Sequence, residues 1–171
     1  MTLRTLAQKE YIEWKHRMQE ETNGTYILIY IGLIFSVFIS CIYGFEIDRG
    51  DMDVAIKCAL IIAAIYQVAA VYLSYVREGK ERTNIFEKYI YTPVDFKMLC
   101  KAKVIVTARI IGLPVLAGQM AAVLICIVNF KNESAVLSDI TVWMPVITAA
   151  VFVVIKCMEF NILCKKAWKN D

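Results

Sequence analysis

Residues 104–130 read VIVTARIIGLPVLAGQMAAVLICIVNF, an apolar run long enough for one helix to cross the hydrocarbon core of a bilayer. A helix rises about 1.5 Å per residue, so roughly 20 residues span a core of about 30 Å. Three further apolar runs of similar length occupy 25–44, 54–75 and 140–160. A spanning segment must satisfy its own backbone hydrogen bonds, which excludes isolated strands. The sequence therefore predicts an all-α integral membrane protein with four transmembrane helices, a single membrane domain over residues 1–171 and no strands.

The positive charges predict how these four helices are oriented. Fourteen lysines and arginines lie in the N-terminal segment, the 76–103 loop and the C-terminal tail, whereas the other two loops contain only Arg49 and Lys131. Cytoplasmic loops of membrane proteins carry the excess of Lys and Arg. We therefore expect a multi-pass protein of the plasma membrane whose two termini and 76–103 loop are cytoplasmic.

The composition excludes several classes of function. The net charge of +3 follows from the same cation bias, so nucleic acid is not an expected partner. The six cysteines form no CxxC pair and His16 is the only histidine, so we expect no metal site. No nucleophile, base and carboxylate are spaced as in a catalytic site, so we expect no catalytic residues and no enzyme. Whether a disulfide joins any two of Cys41, Cys58 and Cys126 stays open.

The N-terminal segment, 1–24, has the pattern of an amphipathic helix. Apolar residues recur every three to five positions between charged ones; they are Leu3, Leu6, Tyr11, Trp14 and Met18, and the charged positions include Lys9, Glu10, Glu13, Arg17 and Glu20. Such a helix beside a membrane segment is typically interfacial. We expect Tyr11 and Trp14 at the level of the lipid headgroups. The alternative is a solvated segment with a few anchoring aromatic residues.

The apolar runs contain small residues and prolines that affect how their helices pack and bend. The first run contains four small residues at four-residue spacing, Gly32, Ser36, Ser40 and Gly44. Small residues along one helix face let a second helix approach closely. We expect this face to pack against a helix of the same chain or of another. Pro114 and Pro145 each remove one helical hydrogen bond, which predicts a kink or break near Leu113 and another early in the fourth run.

Polar side chains within the apolar runs are candidate functional residues. Gln67 and Gln119 are expected near mid-depth, where they either bond to each other or line a polar pathway. Arg109 marks either the cytoplasmic start of its helix or a site for a substrate or lipid phosphate. Lys156 and Glu159 are spaced for a local ion pair.

The 76–103 loop, VREGKERTNIFEKYIYTPVDFKMLCKAK, is the longest polar segment. Asn84 is suited to cap a short helix over 84–91 that places Phe86 and Tyr89 on one apolar side. Pro93 ends this helix, since a proline biases the preceding residue away from helical geometry. Residues 96–103 resume a helical pattern that runs into the third span. A short helix held between two spans suits the docking of a cytoplasmic partner.

This loop resembles the corresponding loop of permease subunits of type-2 ABC exporters. The residues that carry the resemblance are Glu81, Arg82, Thr83, Glu87, Thr92, Pro93, Val94, and Lys101 or Lys103. A glycine usual in that family is replaced here by Thr83 or Asn84. The resemblance covers about 130 residues, through the first three spans; permeases of the family usually have six.

The resemblance implies a transporter subunit without ATP-binding residues of its own. The 84–91 helix would couple a separate cytoplasmic ABC ATPase, which holds ATP and Mg²⁺, to the export of a peptide, lipid or drug-like substrate. The chain contains no G-x-x-x-x-G-K phosphate loop. Membrane lipids and a second permease, identical or different, would complete the assembly. The residues expected to contact the ATPase are Glu81, Arg82, Thr83, Asn84, Phe86, Glu87, Tyr91, Thr92 and Pro93, with Phe86 as the anchor. The alternative is a non-transporting four-helix membrane protein, such as an accessory or immunity protein.

Overall fold

The structure is a computed structural model, and most of what it describes is α-helical. It describes residues 2–22, 27, 30–32, 34, 35, 37, 38, 52–78, 81–90, 92, 94–130 and 140–169. The helices are α1 (Leu3–Thr22), α2 (Met52–Ser74), α3 (Phe96–Thr107), α4 (Leu113–Phe130) and α5 (Ile140–Lys169). The predicted first span, 25–44, lies largely outside the described residues, and those of its residues that are described are helical.

Two of these helical stretches are long and apolar enough to cross a membrane. They are Phe96–Ile125, with 30 residues and a mean hydropathy of 1.8, and Trp143–Trp168, with 26 residues and a mean hydropathy of 2.0. Only 33% and 28% of their apolar windows are buried, whereas the core helix of a soluble protein is mostly buried. Apolar residues such as Leu116, Met120 and Leu124 form an exposed stripe along α4. The structure thus supports two membrane helices of the four predicted, and Ala59–Ser74 in α2 is a shorter apolar stretch.

Helix α3 continues into α4 through one irregular turn. Residues Ala108–Gly112 form a π-helical segment directly before Leu113 and Pro114. Proline has no N–H to donate and its ring crowds the preceding turn, and a π segment accommodates both. The interruption predicted near Leu113 is therefore present, whereas α5 continues through Pro145.

The 76–103 loop contains a hairpin that the sequence did not predict. Strand β1 (Tyr75–Glu78) pairs antiparallel with β2 (Glu81–Asn84), so that Val76 lies opposite Thr83. The Thr83 hydroxyl also donates a hydrogen bond to the Val76 carbonyl, at 3.2 Å. The prediction that the chain has no strands is wrong here, because β-branched residues opposite one another favour a local pairing outside the apolar runs.

The chain packs as two compact units. Unit 1 contains Met1–Tyr26, Ala69–Ile110 and Val153–Asp171, and unit 2 contains Ile27–Val68 and Ile111–Phe152. The core of unit 1 is built on large side chains that include Leu6, Trp14, Met18, Leu73, Phe86 and Phe160. In the core of unit 2, Tyr66 donates to the Pro145 carbonyl at 3.3 Å and packs edge-on against Phe152, with ring centroids 5.6 Å apart.

Close helix approach in unit 2 occurs at Gly118 and not at Gly32. A Cβ atom added at Gly118 would lie 3.4 Å from the Val37 Cβ and 3.7 Å from the Ile34 Cα, whereas one added at Gly32 would have no atom within 4 Å. Among the described residues, Gly32 therefore makes no close contact that requires a glycine. Side chains of the other predicted packing residues, Ser36, Ser40 and Gly44, lie outside the described residues.

We expect Gly118→Leu to destabilise the chain by about 1–3 kcal/mol, because the branched side chain overlaps Val37. Thermal unfolding in detergent measures this effect. Gly32→Leu is the matched control and leaves the melting temperature of the monomer unchanged. If Gly32→Leu instead lowers that temperature as much as Gly118→Leu, the assignment of close packing to Gly118 is wrong. A change of oligomeric state in Gly32→Leu would mean that its face contacts another chain.

Candidate functional site

A buried ion pair lies at the centre of unit 1. The Lys103 ammonium on α3 donates to Oε2 of Glu10 on α1 at 2.7 Å, and both side chains are 0% exposed. Removing two charges from water is costly unless each finds a partner with good geometry. Such a pair indicates a precisely determined arrangement of α1 and α3.

Helix α1 presents Glu10 on its apolar face. Leu6, Glu10, Trp14 and Met18 recur at four-residue spacing and are all buried. Side chains four residues apart share one helix face. The alternation of charged and apolar residues predicts Glu10 on the polar side of α1, whereas its four-residue spacing from Leu6 and Trp14 is the signal for the buried side.

Trp14 attaches α1 to α2 within unit 1. Its indole N–H donates to the Ala69 carbonyl at 3.0 Å and its side chain is 1% exposed. Arg17 donates to the Tyr72 carbonyl at 3.0 Å and to Glu13 at 3.4 Å. The prediction that Trp14 lies among lipid headgroups is wrong, because the protein itself covers the ring.

Tyr89 joins the loop to the ion pair. Its hydroxyl donates a short hydrogen bond to Oε1 of Glu10 and a longer one, at 3.3 Å, to Glu13. Tyr89 is the last residue of a 3₁₀ helix, Ile85–Tyr89, that takes the place of the predicted 84–91 helix. Both oxygens of Glu10 are thus bonded, one to α3 and one to the loop.

The electrostatics of this group favour a charged Glu10. Burial raises the pKa of the Glu10 carboxyl, but the charge and hydrogen bond of Lys103, the Tyr89 hydrogen bond and the charge of Arg17 together lower that pKa below its ordinary value of 4.5. Burial, with the hydrogen bond to Glu10, raises the pKa of the Tyr89 phenol. A carboxyl with a lowered folded pKa stabilises the fold above pH 4.5, and this stabilisation is lost as the pH falls through the folded pKa.

Phe86 fills the space behind the ion pair. Its side chain is 0% exposed, its ring centroid lies 6.3 Å from that of Phe160 on α5, and the Lys103 ammonium lies 5.8 Å from the Phe86 centroid. A cation at that distance from an aromatic face is attracted to the ring. Phe86 was predicted as the anchor for a partner, and its burial within unit 1 contradicts that role in this conformation.

Asn84 is confirmed as the cap of the short helix and also ties the hairpin to α5. Its side-chain oxygen accepts from the Phe86 N–H at 3.1 Å, and its amide nitrogen donates to the Leu163 carbonyl at 2.9 Å. A hairpin of two short strands is marginal in isolation. The bond to Leu163 helps to fix its position in unit 1.

The predicted partner-binding residues divide by exposure. Asn84 and Phe86 are buried, Thr83 and Glu87 are half-buried, and Glu81 and Thr92 are exposed. The exposed set also includes Lys88, which sequence analysis did not single out. Tyr91, Pro93 and the side chain of Arg82 lie outside the described residues.

The candidate pathway residues are not equivalent. Gln119 is buried whereas Gln67 is exposed. Arg109 is exposed beside α1, where it donates to the Gln8 side-chain oxygen at 3.3 Å and lies 4.2 Å from the centroid of the Tyr11 ring. These contacts attach Arg109 to the N-terminal helix.

A second buried polar group connects α5 to the end of α2. Lys156 donates to Glu159 at 2.6 Å, as its spacing predicted, and the Ser74 hydroxyl donates to the other Glu159 oxygen at 2.6 Å. Every buried side-chain nitrogen and oxygen among the described residues has a hydrogen-bond partner. Both buried groups are therefore internally satisfied.

Within the described ranges, no three His, Cys, Asp or Glu side chains converge as metal ligands would. Comparison of the chain with models of protein families, with curated proteins and with solved structures gives no match. The function therefore has to follow from the chain's own residues.

Proposed function

We propose that the chain is the membrane subunit of an ATP-driven exporter, on which a separate cytoplasmic ABC ATPase acts through the segment 75–95. The observation that carries this proposal is the attachment of this segment to three helices of unit 1. Tyr89 bonds to α1 through Glu10, Phe86 packs beneath Lys103 of α3, and Asn84 bonds to α5 at Leu163.

These attachments suit a segment that transmits force. Packed side chains are as dense as organic crystals and therefore transmit strain. Pressure on the 3₁₀ helix reaches Glu10 and Lys103 through the Tyr89 bond, without a flexible link between them. A loose loop would absorb the same displacement.

The charge distribution supports a cytoplasmic location for this segment. The segments of unit 1 carry 16 of the 19 lysines and arginines, since only Arg49, Lys57 and Lys131 lie in the segments of unit 2. Cytoplasmic parts of membrane proteins carry this excess. We therefore place both termini and the segment 75–95 in the cytoplasm of a four-span protein of the plasma membrane.

The surface offered to the ATPase is polar in this proposal. We call Glu81, Glu87, Lys88 and Thr92 the docking face; they are polar side chains of the segment 75–95 that the structure shows as exposed or half-buried. The two carboxylates outnumber the one lysine, and we propose that the groove of the ATPase presents positive charge to Glu81 and Glu87. The ATPase supplies ATP and Mg²⁺, and a second permease chain completes the pathway for a peptide, lipid or drug-like substrate.

Co-purification tests this proposal. Wild-type protein, extracted in mild detergent from its native cells, should bring a nucleotide-binding protein with it. The double charge reversal Glu81→Lys/Glu87→Lys should lower the recovered amount about tenfold or more, because like charges across an interface cost several kcal/mol. Unfolding curves should stay unchanged, since neither side chain belongs to the core.

Glu20→Lys is the matched control, because it reverses an exposed carboxylate of α1 in the same unit. Recovery of the partner should equal that of wild type. If wild type brings no nucleotide-binding protein, the exporter hypothesis is wrong and a non-transporting accessory protein takes its place. If Glu20→Lys and the double variant lower the recovery of the nucleotide-binding protein equally, the docking face is not the site of binding.

A further inference from the structure

A cavity of about 600 Å³ opens between α1 and α3 in unit 1. Its polar lining consists of Arg4, Gln8 and Arg109, and its apolar lining includes Leu3, Ile105 and Val106. None of the described residues that line it is acidic. The cavity therefore combines two positive charges with an apolar wall.

Arg109 is held at the rim by two contacts. Its guanidinium donates to the Gln8 side-chain oxygen at 3.3 Å and lies 4.2 Å from the centroid of the Tyr11 ring. A guanidinium has five N–H donors, so the bond to Gln8 leaves others for a ligand. Arg4, on the turn of α1 before Gln8, is exposed at the same cavity.

The apolar wall is continuous with a helix that is long enough to cross a membrane. Ile105 belongs to the apolar stretch Phe96–Ile125 and its side chain is 45% exposed. Val106, beside it, also lines the cavity and is buried. A ligand that fills the cavity therefore meets cations at one side and apolar side chains at the other.

We propose that this cavity binds the headgroup of an anionic phospholipid. Arg4 and Arg109 bind the phosphate, since guanidinium groups pair with phosphate oxygens through parallel hydrogen bonds. The first methylenes of the acyl chains pack on Leu3 and Ile105. Basic pockets beside membrane helices on the cytoplasmic side recognise anionic headgroups in this way. The inference rests on a membrane location and not on the exporter proposal.

Competition between two lipids tests the inference. The full chain in neutral detergent is mixed with equal amounts of phosphatidylglycerol and phosphatidylcholine, and bound lipid is counted by native mass spectrometry. Wild type should retain phosphatidylglycerol preferentially. Arg4→Gln/Arg109→Gln should lower that preference about 25-fold, because each cation near an anionic lipid contributes roughly a factor of five.

Two controls separate lipid binding at the cavity from nonspecific attraction between cations and anionic lipid, and from binding of inorganic phosphate. Lys15→Gln/Lys101→Gln removes two exposed cations from the same two helices outside the cavity and should keep the wild-type preference. An equal loss in this control would overturn the proposal. Displacement of the lipid by a large excess of inorganic phosphate would also overturn it, because the site would then take free phosphate. If the double variant unfolds without lipid, the single variant Arg4→Gln is measured instead. A roughly fivefold lower preference for phosphatidylglycerol supports the site, and an unchanged preference refutes it.

Discussion

Replacing Lys103 by methionine should lower the free energy of unfolding by about 3–5 kcal/mol, the cost of leaving one member of a buried ion pair without its partner. The remaining charge is Glu10, whose side chain is 0% exposed and therefore out of contact with bulk solvent. Thermal or denaturant unfolding in detergent, followed by the fluorescence of buried Trp14, measures the loss. Lys101→Met is the control, because Lys101 is exposed on the same helix.

The double variant Glu10→Gln/Lys103→Met should recover most of this loss. Replacing both members of a buried pair with neutral groups of similar volume is often neutral or stabilising. The glutamine carbonyl keeps an acceptor for the Tyr89 hydroxyl, but recovery is incomplete because the amide N–H groups take the place of the oxygen that accepted from Lys103. Losses in the two single variants that simply add in the double variant would mean that Glu10 and Lys103 do not stabilise one another.

Phe86→Ala should destabilise the chain by about 3–5 kcal/mol, because it removes a fully buried ring and leaves a cavity. The lost volume lies between Phe160 and the Lys103 ammonium, so an apolar contact and a cation–ring contact disappear together. The melting temperature in detergent reports this change. Partner binding would also fail, but only as a consequence of unfolding.

Lys88→Ala is the matched control for Phe86→Ala, because it shortens an exposed neighbour in the same 3₁₀ helix. Its melting temperature should equal that of wild type. An unchanged melting temperature in Phe86→Ala, combined with selective loss of a bound partner, would instead assign Phe86 to partner binding. The two measurements together separate a role in folding from a role in docking.

Local patterns in the sequence predicted local structure well. The second apolar run, 54–75, corresponds to α2 (Met52–Ser74), and the helical pattern after Pro93 corresponds to α3, which begins at Phe96. The Asn84 cap and the Lys156–Glu159 pair depend on neighbours at most three residues away. Such features follow from backbone geometry alone, and therefore sequence spacing was enough to locate them.

Features that depend on distant partners were missed. Phe86 and Glu10 were assigned to exposed surfaces, because a short apolar segment and an isolated carboxylate usually lie there. What buries them is α5 in one case and α3 in the other, each separated from its partner by a long stretch of chain. The hairpin was missed for a related reason: its strands have four residues each, too few to show a clear alternating pattern.

The bond between Glu10 and Lys103 joins residues 93 positions apart, which has a consequence for the order of assembly. At roughly 5–20 residues synthesised per second, α1 leaves the ribosome about 5–19 s before its partner helix exists. During that interval the side of α1 that carries Glu10 and later packs against α3 is uncovered. We expect the nascent helix to rest on the bilayer surface, as amphipathic helices do. These contacts of α1 with the bilayer would then belong to an intermediate of biogenesis, and the mature protein replaces them with contacts to α2 and α3.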